Sequence, residues 1–198
     1  MPADNGGTRG ASRPGCPARP AWRPCAILRL WLGGTRWAVF SGAAAAVYGS
    51  RRVPTDLDVL VEKGRLERWA ARLGAPVTEK VSELGRMRHA QWRGVDICDD
   101  VTPVVDGTPR PFFMDREMLR RRRLRLVGGL PAWVVAPEDV VVLKAILQRG
   151  RERGKFDVED IRAVAAGHRL DHAYLQWRAA RCHAAERVLA LLQREGLG

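Results

Sequence analysis

The sequence has few lysines, few acids and no long apolar run. Of its 198 residues 34 are basic and 22 are acidic, and 30 of the basic residues are arginines. No apolar run approaches the roughly 20 residues that a membrane-spanning helix needs. We therefore expect a soluble protein with no membrane partner.

Cysteine is also scarce, and its spacing is uninformative. The four cysteines are scattered along the chain, without the paired spacing of a zinc site or a disulfide framework; they are Cys16, Cys25, Cys98 and Cys182. This distribution favours a reducing compartment, and we expect a cytoplasmic protein.

The scarcity of acids leaves a net charge of +12. A GC-rich coding bias favours arginine over lysine but does not remove aspartate and glutamate, so the excess is a physical property of the chain. It favours polyanionic partners such as nucleic acid, nucleoside triphosphates or an acidic protein. The densest basic segment, LRRRRLRL (119–126), is either a solvated helix face or a set of phosphate contacts for RNA.

The composition divides the chain into three parts. Residues 1–24 are rich in Gly, Pro, Ala and Arg without periodicity, which predicts a disordered tail. Residues 25–135 predict a core of strands and helices, and residues 136–198 predict a C-terminal helical part packed on it. A βαβ start, a hairpin and then helices together predict an α/β (α+β) fold.

Local patterns predict the elements of the core. WAVF (37–40) is typical of a buried strand, GAAAAVYG (42–49) of a short helix, and DLDVLVE (56–62) of a second strand. MRHAQW and VDICDDV predict a hairpin around the turn at 93–94. After Pro103 the pattern predicts an irregular stretch, a basic helix over 114–126 and a strand at AWVVA (132–136). Helices follow at PEDVVVLKAILQRG (137–150), DVEDIRAVAAG (157–167) and 170–196, the first of them with proline at its first position and acids in its first turn.

Two aspartates at the start of the second strand point to a metal site. Asp56 and Asp58 project from the same strand face about 7 Å apart. Unpaired carboxylates there repel each other and lose hydration. A divalent cation would reverse that cost, and a pair of Mg²⁺ ions, or Mn²⁺ in their place, suits nucleotidyl transfer.

Asp96 is a candidate third ligand. It lies in the strand after the hairpin turn, with Val95 and Ile97 on the opposite face. In this position it could bind a second ion and accept the proton of an attacking hydroxyl. A capping or edge-strand aspartate is the alternative, and the residues alone leave both interpretations open.

A small turn precedes the aspartate pair. Ser41 and Gly42 stand between the first strand and its helix, where backbone amides and the helix N-terminus favour a triphosphate. Arg51 and Arg52 follow the helix and could hold triphosphate or acceptor phosphate.

The turn and the aspartates together resemble a known signature. SG (41–42), thirteen intervening residues and DLDV (56–59) look like the signature of the nucleotidyltransferase superfamily. YGSRRVPTDLDVLV is similar to small bacterial nucleotidyltransferase-like proteins, which include the AbiEii-type toxins of type IV toxin-antitoxin systems. The resemblance implies a mixed sheet with flanking helices.

A second segment carries the same resemblance. APEDVVVLKAILQRGRERGKFDVEDI (136–161) resembles the PED helix and the following K-D-x-x-D-I element of those proteins. The match carries over Lys144, Lys155, Asp157 and Asp160. Two positions depart from the family pattern: Ser41 replaces the first glycine of the turn, and Phe156 separates Lys155 from Asp157.

The resemblance implies roles for three of these residues, with Lys155 and Asp160 assigned to nucleotide binding. Lys144 would neutralise the triphosphate and the leaving pyrophosphate, whereas a lysine whose stem lies along apolar surface is the structural alternative. Asp160 would orient Lys144 or Lys155. For Asp157, capping of the following helix is a sufficient account.

The implied function is metal-dependent transfer of a nucleoside monophosphate from an NTP to an acceptor hydroxyl. Together with the basic surface, the resemblance favours RNA as acceptor, in particular the 3′ end of tRNA. It also implies a toxin role with a cognate antitoxin as partner. The competing hypothesis is a non-catalytic nucleic-acid-binding or regulatory module that has kept the fold.

Overall fold

The computed structural model describes Ile27, Leu30, Trp31, residues 34–82 and residues 85–198. The tail predicted over residues 1–24 lies outside them. In these ranges eight strands form one mixed sheet in the order β3-β4-β5-β2-β1-β8-β7, with β6 paired to β5. The strands are β1 (Trp37–Val39), β2 (Leu57–Val61), β3 (Val77–Ser82), β4 (Gly85–Trp92), β5 (Val95–Val105), β6 (Thr108–Pro109), β7 (Arg123–Val127) and β8 (Leu130–Val134).

Seven α-helices from the same ranges accompany the sheet. They are α1 (Ser41–Val47), α2 (Leu66–Leu73), α3 (Arg116–Arg121), α4 (Pro137–Leu147), α5 (Asp157–Gly167), α6 (His172–Arg181) and α7 (Ala185–Arg194), with a 3₁₀ turn at Arg151–Arg153. The predicted fold class, α/β with a mixed sheet and flanking helices, is confirmed. The division of the chain at residue 135 stays a prediction.

The centre of the sheet consists of the strands that the sequence patterns predict. β1 and β2 are antiparallel, whereas β2 and β5 are parallel. Leu57, Val59 and Val61 are fully buried. Strands buried on this face need apolar side chains at alternate positions, which is the pattern of DLDVLVE.

Helix α4 lies at the centre of the helical layer. It contacts α1, α5, α6 and α7 as well as β5, and all of its residues from Pro137 to Ile146 are buried. Most of these residues are apolar, and the charged ones, Glu138, Asp139 and Lys144, are also buried; a helix buried on every side is stable only when other elements surround it. Its start follows the sequence prediction, with Pro137 in the first turn and the Asp139 carboxylate accepting a hydrogen bond from the Ala136 N–H at 3.2 Å.

Two predicted helices are wrong in extent. The basic helix ends at Arg121, and Arg123–Val127 forms strand β7 against β8. Arginine and leucine alternate over residues 123–126 with the two-residue period of a strand, and these residues pair with β8. The final helical segment divides into α6 and α7 at His183, whose φ of 55° is left-handed.

The predicted irregular stretch and the predicted hairpin also differ in part. β5 continues past Pro103 to Val105, and β6 returns along it. β4 and β5 form the predicted hairpin, but the additional strand β3 pairs with β4 over Val77–Ser82. All six β3 residues are exposed, so no hydrophobic alternation predicted this strand. No helix in the described residues is long and apolar enough to cross a bilayer.

Candidate active site

Three carboxylates converge where β2 and β5 begin. Asp56 directly precedes β2, and Asp58 pairs in register with Asp96 on the parallel strand β5. One oxygen from each carboxylate lies within 4.8 Å of the other two. The parallel register brings Asp58 and Asp96 together because paired residues of adjacent strands project from the same face.

The turn before α1 lies against these carboxylates. Phe40 N–H donates to the Asp58 carbonyl at 3.0 Å, which places Ser41 beside β2. Ser41 has a φ of 57°, a conformation that favours glycine. Its hydroxyl lies near the Asp58 carboxylate and opposes the rise in the pKa of that group, an effect that a glycine could not have. A Cβ on Gly42 would meet nothing within 4 Å, so the protein leaves this space open.

The carboxylate cluster is short of positive charge at its centre. Burial, followed by repulsion from Asp56 and Asp96, raises the pKa of Asp58 to about 6, against opposing contributions from the Ser41 hydroxyl and Lys155. A cation between the three carboxylates would relieve this repulsion. The donors are all carboxylate oxygens, the ligand type that Mg²⁺ and Mn²⁺ accept, so the residues fit such an ion.

His89 is a neighbour of this cluster that sequence reasoning missed. Its Nδ1 lies 3.3 Å from an Asp96 carboxylate oxygen. On the antiparallel pair β4–β5, Gln91 stands opposite Asp96 and His89 opposite Cys98, so His89 is diagonal to Asp96 on one face. The predicted hairpin was enough to find His89, because the two-residue turn at 93–94 determines which residues of β4 and β5 lie opposite each other.

The carboxylates open into a cavity of about 270 Å³. Its basic lining comes from separate elements: Arg52, Lys80, Arg86, Arg149 and Lys155. Arg52 and Lys155 were predicted site residues, whereas Lys80, Arg86 and Arg149 were not. Lys80 and Arg86 belong to β3 and β4, and no local motif indicates that this pair of strands lies over the site.

Lys144 also lies at the cavity wall, but its charge is already paired. Its ammonium is buried and lies 2.8 Å from an Asp157 oxygen and 2.7 Å from an Asp160 oxygen. Asp157 in addition accepts hydrogen bonds from the Arg149 backbone and guanidinium, each at 2.9 Å. The capping account of Asp157 is therefore wrong: Phe156 is the N-cap of α5, and Asp157 binds cations instead.

Asp160 links this ionic cluster to the loop before the aspartates. Its other oxygen accepts a hydrogen bond from the Ser50 hydroxyl at 2.6 Å. Asp160 does not line the cavity itself; it contacts Lys144, one of the two lysines that the resemblance suggested it would orient.

The two arginines after α1 differ in position. Arg51 is exposed and does not line the cavity. The Arg52 guanidinium lies 5.6 Å from the centre of the Phe156 ring, and its Nη1 is buried without a hydrogen-bond partner in the described part of the chain. Phe156, which departs from the family pattern, thus supports an arginine at the cavity wall.

The arginine run lies away from this cavity. Arg120 and Arg121 both donate to Glu117, and Arg121 also to Asp171. Arg122 lies over the Trp133 ring at 4.4 Å. β7 is separated from β2 by β1 and β8, so much of this charge is paired or remote from the carboxylates.

Comparison with known proteins gives structural but not sequence relatives. No protein-family model matches the chain, and no curated protein matches it in sequence. A Thermotoga maritima protein, provisionally assigned as a nucleotidyltransferase, superposes with a TM-score of 0.46 at 17% identity over 68% of this chain and 90% of its own. The antibiotic-resistance factor ANT(2'')-Ia in complex with adenylyl-2''-tobramycin superposes with a TM-score of 0.50 at 12% identity, over 86% of this chain and 97% of its own. At these identities the likeness concerns the fold alone, and the chain has the fold of nucleotidyltransferases.

Proposed function

We propose that this protein is a metal-dependent nucleotidyltransferase that transfers a nucleoside monophosphate from an NTP to an acceptor hydroxyl. The observation that carries the proposal is the convergence of Asp56, Asp58 and Asp96 within 4.8 Å at the mouth of a cavity with a basic lining. A carboxylate cluster binds divalent cations, and a basic cavity beside it complements polyphosphate.

In this proposal Asp56, Asp58 and Asp96 would hold two Mg²⁺ or Mn²⁺ ions. The bound ions would supply electrostatic stabilisation of the phosphate charge in the transition state. Ser41 and Gly42 place the triphosphate beside the N-terminus of α1, in the space that Gly42 leaves open.

The reaction needs one proton acceptor. The acceptor hydroxyl oxygen forms a bond to the α-phosphorus, the bond from that phosphorus to the bridging oxygen breaks, and pyrophosphate leaves with the electron pair. Asp96 takes the hydroxyl proton.

The charges of the cavity wall divide into two groups. Arg52 and Lys155 are the predicted residues whose cations remain available for the triphosphate. Arg149 also lines the cavity, but its guanidinium is paired with Asp157 at 2.9 Å. Lys144 was predicted to neutralise the triphosphate, but its two ion pairs compensate its charge. We therefore assign Lys144 and Asp160 to positioning Asp157 and Arg149, and Arg51 to contacts outside the cavity.

We propose RNA, including the 3′ end of tRNA, as the acceptor class because the chain carries a net charge of +12. The toxin role and the cognate antitoxin rest on the sequence resemblance. A small-molecule acceptor is the alternative within the same chemistry, since a protein of this fold binds an adenylylated antibiotic.

One observation favours the non-catalytic module as a second candidate. Ser41 has a left-handed backbone at the turn where the family has glycine. If the Ser41 hydroxyl occupies the path of the triphosphate, the fold binds nucleic acid without turnover.

The test is transfer of label. The protein is incubated with Mg²⁺ or Mn²⁺ and each α-labelled NTP, with total tRNA, protein or an aminoglycoside as acceptor. Label on any acceptor that disappears in Asp58→Ala supports the enzyme. Absence of label on every acceptor, with equal metal-dependent NTP binding by the wild type and Asp58→Ala, would refute it in favour of the module.

A further inference from the structure

A second cavity, of about 440 Å³, lies next to the candidate active site. One side of its wall is helix α7, and the rest comes from three connections: the segment around β6, the end of α4 and the turn between α6 and α7. Each connection contributes a residue with left-handed backbone, namely Asp106 (φ 51°), Gln148 (φ 46°) and His183 (φ 55°).

Three arginines line this cavity, and they differ in the partners of their guanidinium groups. Arg187 is fixed, because its Nε donates to the Ile146 carbonyl at 2.9 Å and its Nη1 to Asp106 at 3.0 Å. Arg194 is exposed and lies 3.8 Å from Glu195. Arg110 is partly buried, its Nε is fully buried, and no side chain in the described residues pairs with its guanidinium.

The acids of the wall leave Arg110 uncompensated. Asp106 is used by Arg187, and its side chain is 80% exposed. Glu186 is exposed in the first turn of α7. A guanidinium without a carboxylate partner, partly removed from water, is a binding group for an oxyanion.

The two cavities have no lining residue in common, but neighbouring residues of two segments line one or the other. Leu147 and Arg149 line the candidate active site, whereas Gln148 between them lines the second cavity. On the other side Pro103 lines the candidate active site, and its carbonyl accepts a hydrogen bond from the Arg110 N–H at 2.7 Å. A single extended ligand could therefore contact both.

We infer that the second cavity binds a backbone phosphate of an RNA acceptor strand, with Arg110 as the phosphate ligand. The inference rests on the proposed function and names the acceptor subsite. A guanidinium binds phosphate and carboxylate alike. RNA is favoured over an acidic protein because the proposed function of the adjoining site is nucleotidyl transfer to a hydroxyl, and an RNA strand carries both that hydroxyl and the neighbouring phosphates.

The geometry sets the length of the acceptor. Arg110 lies beside Pro103, seven residues along β5 from Asp96, which corresponds to about 23 Å at the rise of a strand. An acceptor strand stacked as in a duplex, with phosphates about 3.4 Å apart along the helix axis, spans this distance in roughly seven nucleotides. Arg110 therefore contacts only acceptors longer than that.

The experiment compares Arg110→Gln with Arg110→Lys and with the control Arg125→Gln. Arg125 is an exposed residue of β7, four strands from β5 in the sheet order. Each variant is assayed for transfer to a 20-nucleotide and a 4-nucleotide RNA that share their 3′ end. Binding of the fluorescent 20-nucleotide RNA is measured at several salt concentrations.

We expect Arg110→Gln to raise KM and Kd for the long RNA roughly fivefold to tenfold and to leave the short RNA unchanged. The slope of log Kd against log salt concentration should become shallower by about one, because one phosphate contact is lost. Arg110→Lys should retain most of the affinity and the salt slope, since it keeps the charge, and thermal unfolding checks that the variants fold.

Three results overturn the inference: equal effects of Arg110→Gln and Arg125→Gln, an effect that is the same for long and short RNA, or an unchanged salt slope. Binding of poly-glutamate in place of RNA would assign the cavity to an acidic protein and overturn it as well. If the wild type transfers no label but Arg110→Gln still weakens binding of the long RNA, the proposed reaction fails and the phosphate site stands.

Discussion

Two carboxylates in different regions of this protein have a raised pKa, and their surroundings are opposite. At the candidate active site Asp58 faces Asp56 and Asp96, and burial with this repulsion raises its pKa to about 6. In the buried ion cluster, which comprises Asp139, Arg178, Asp115 and Tyr174, burial also raises the pKa of Asp139 to about 6.

Asp139, however, is surrounded by donors. It accepts hydrogen bonds from the Tyr174 hydroxyl at 2.8 Å and from the Ala136 N–H, and Arg178 lies 3.2 Å away. Arg178 in turn donates to Asp115 at 2.8 Å and to the Phe113 carbonyl at 2.7 Å. This cluster joins α3, α4 and α6, which is a structural task.

The comparison shows that a similar pKa has two meanings. Around Asp139 the protein supplies the compensating charge itself. Around Asp58 it supplies further negative charge, which is stabilising only if a cation binds. The first arrangement holds the fold together, whereas the second indicates a site for a ligand.

The largest expected effect is on activity at Asp58. If the proposed function is right, Asp58→Asn should lower nucleotidyl transfer by at least about 10²–10³-fold, because it removes a charge that would hold the metal ions. The free energy of unfolding without metal should stay equal or increase, since the repulsion with Asp56 and Asp96 falls. Label transfer and urea unfolding measure the two effects. A variant that lost stability instead would make this carboxylate cluster a structural one.

A matched pair of lysine and arginine variants separates the two regions. Arg178→Met should lower the free energy of unfolding by about 3 kcal/mol, because it leaves Asp139 and Asp115 without their cation. Lys155→Met should change stability little, since Lys155 is only partly buried, but should raise the KM for NTP. Urea unfolding and NTP kinetics on both proteins test this. An equal loss of stability in Arg178→Met and Lys155→Met would contradict the difference between the two regions.

Metal should stabilise one region only. At about 100 times its Kd, Mn²⁺ should raise the free energy of unfolding of the wild type by about 2.7 kcal/mol. Asp58→Asn should lose most of this gain, and Arg178→Met should keep it. Thermal unfolding with and without Mn²⁺ provides the measurement, with Ca²⁺ as a further ion. A gain of the same size in Asp58→Asn would place the ion elsewhere.

His89, which contacts Asp96, allows a further test of the candidate active site. A hydrogen bond from His89 fixes the orientation of Asp96, so His89→Ala should lower activity or Mn²⁺ affinity by roughly 10–100-fold. His89→Asn, which keeps a donor near the position of Nδ1, should recover most of that loss. Mn²⁺ titration followed by electron paramagnetic resonance checks the affinity directly. Equal values for the two variants would exclude this positioning role.

The smallest effect is a pH dependence shared by both regions. The pKa values of Asp58 and Asp139 are raised from 3.8 to about 6 in the folded protein. The folded state therefore binds more protons than the unfolded state over this range, and stability falls as pH rises from about 4 through about 6. Without metal, Asp58→Asn should show a shallower fall than the wild type. Urea unfolding between pH 4 and pH 7 measures the slopes, and parallel curves would contradict this cause.

Part of the site was predictable because it is local. The strand–turn–helix at residues 37–47 and the alternation of DLDVLVE follow from hydrophobic period and small residues, and both are present. The hairpin turn at 93–94 was also predictable, and its register brings His89 to Asp96. His89 was missed because this register was not carried through to its diagonal neighbours.

The basic wall was not predictable in the same way. Lys80 and Arg86 lie on β3 and β4, whose exposed residues carry no period that indicates burial. The arginine run was predicted as one helix because its many charges obscured the two-residue alternation at 123–126. In the structure these residues belong to β7, which pairs with β8. The break between α6 and α7 occurs at His183 without glycine or proline, so nothing local marks it.

The sequence by itself determined the fold class, the βαβ start and the aspartate pair, because these depend on residues close together in the chain and on the periods of strand and helix. Only the tertiary structure decided that Asp96 and His89 join that pair, that the charge of Lys144 is compensated by Asp157 and Asp160, and that Arg110 remains unpaired. These outcomes depend on strand register and helix packing, which bring distant charges within a few ångströms and thereby select which of them are neutralised and which stay available to a ligand.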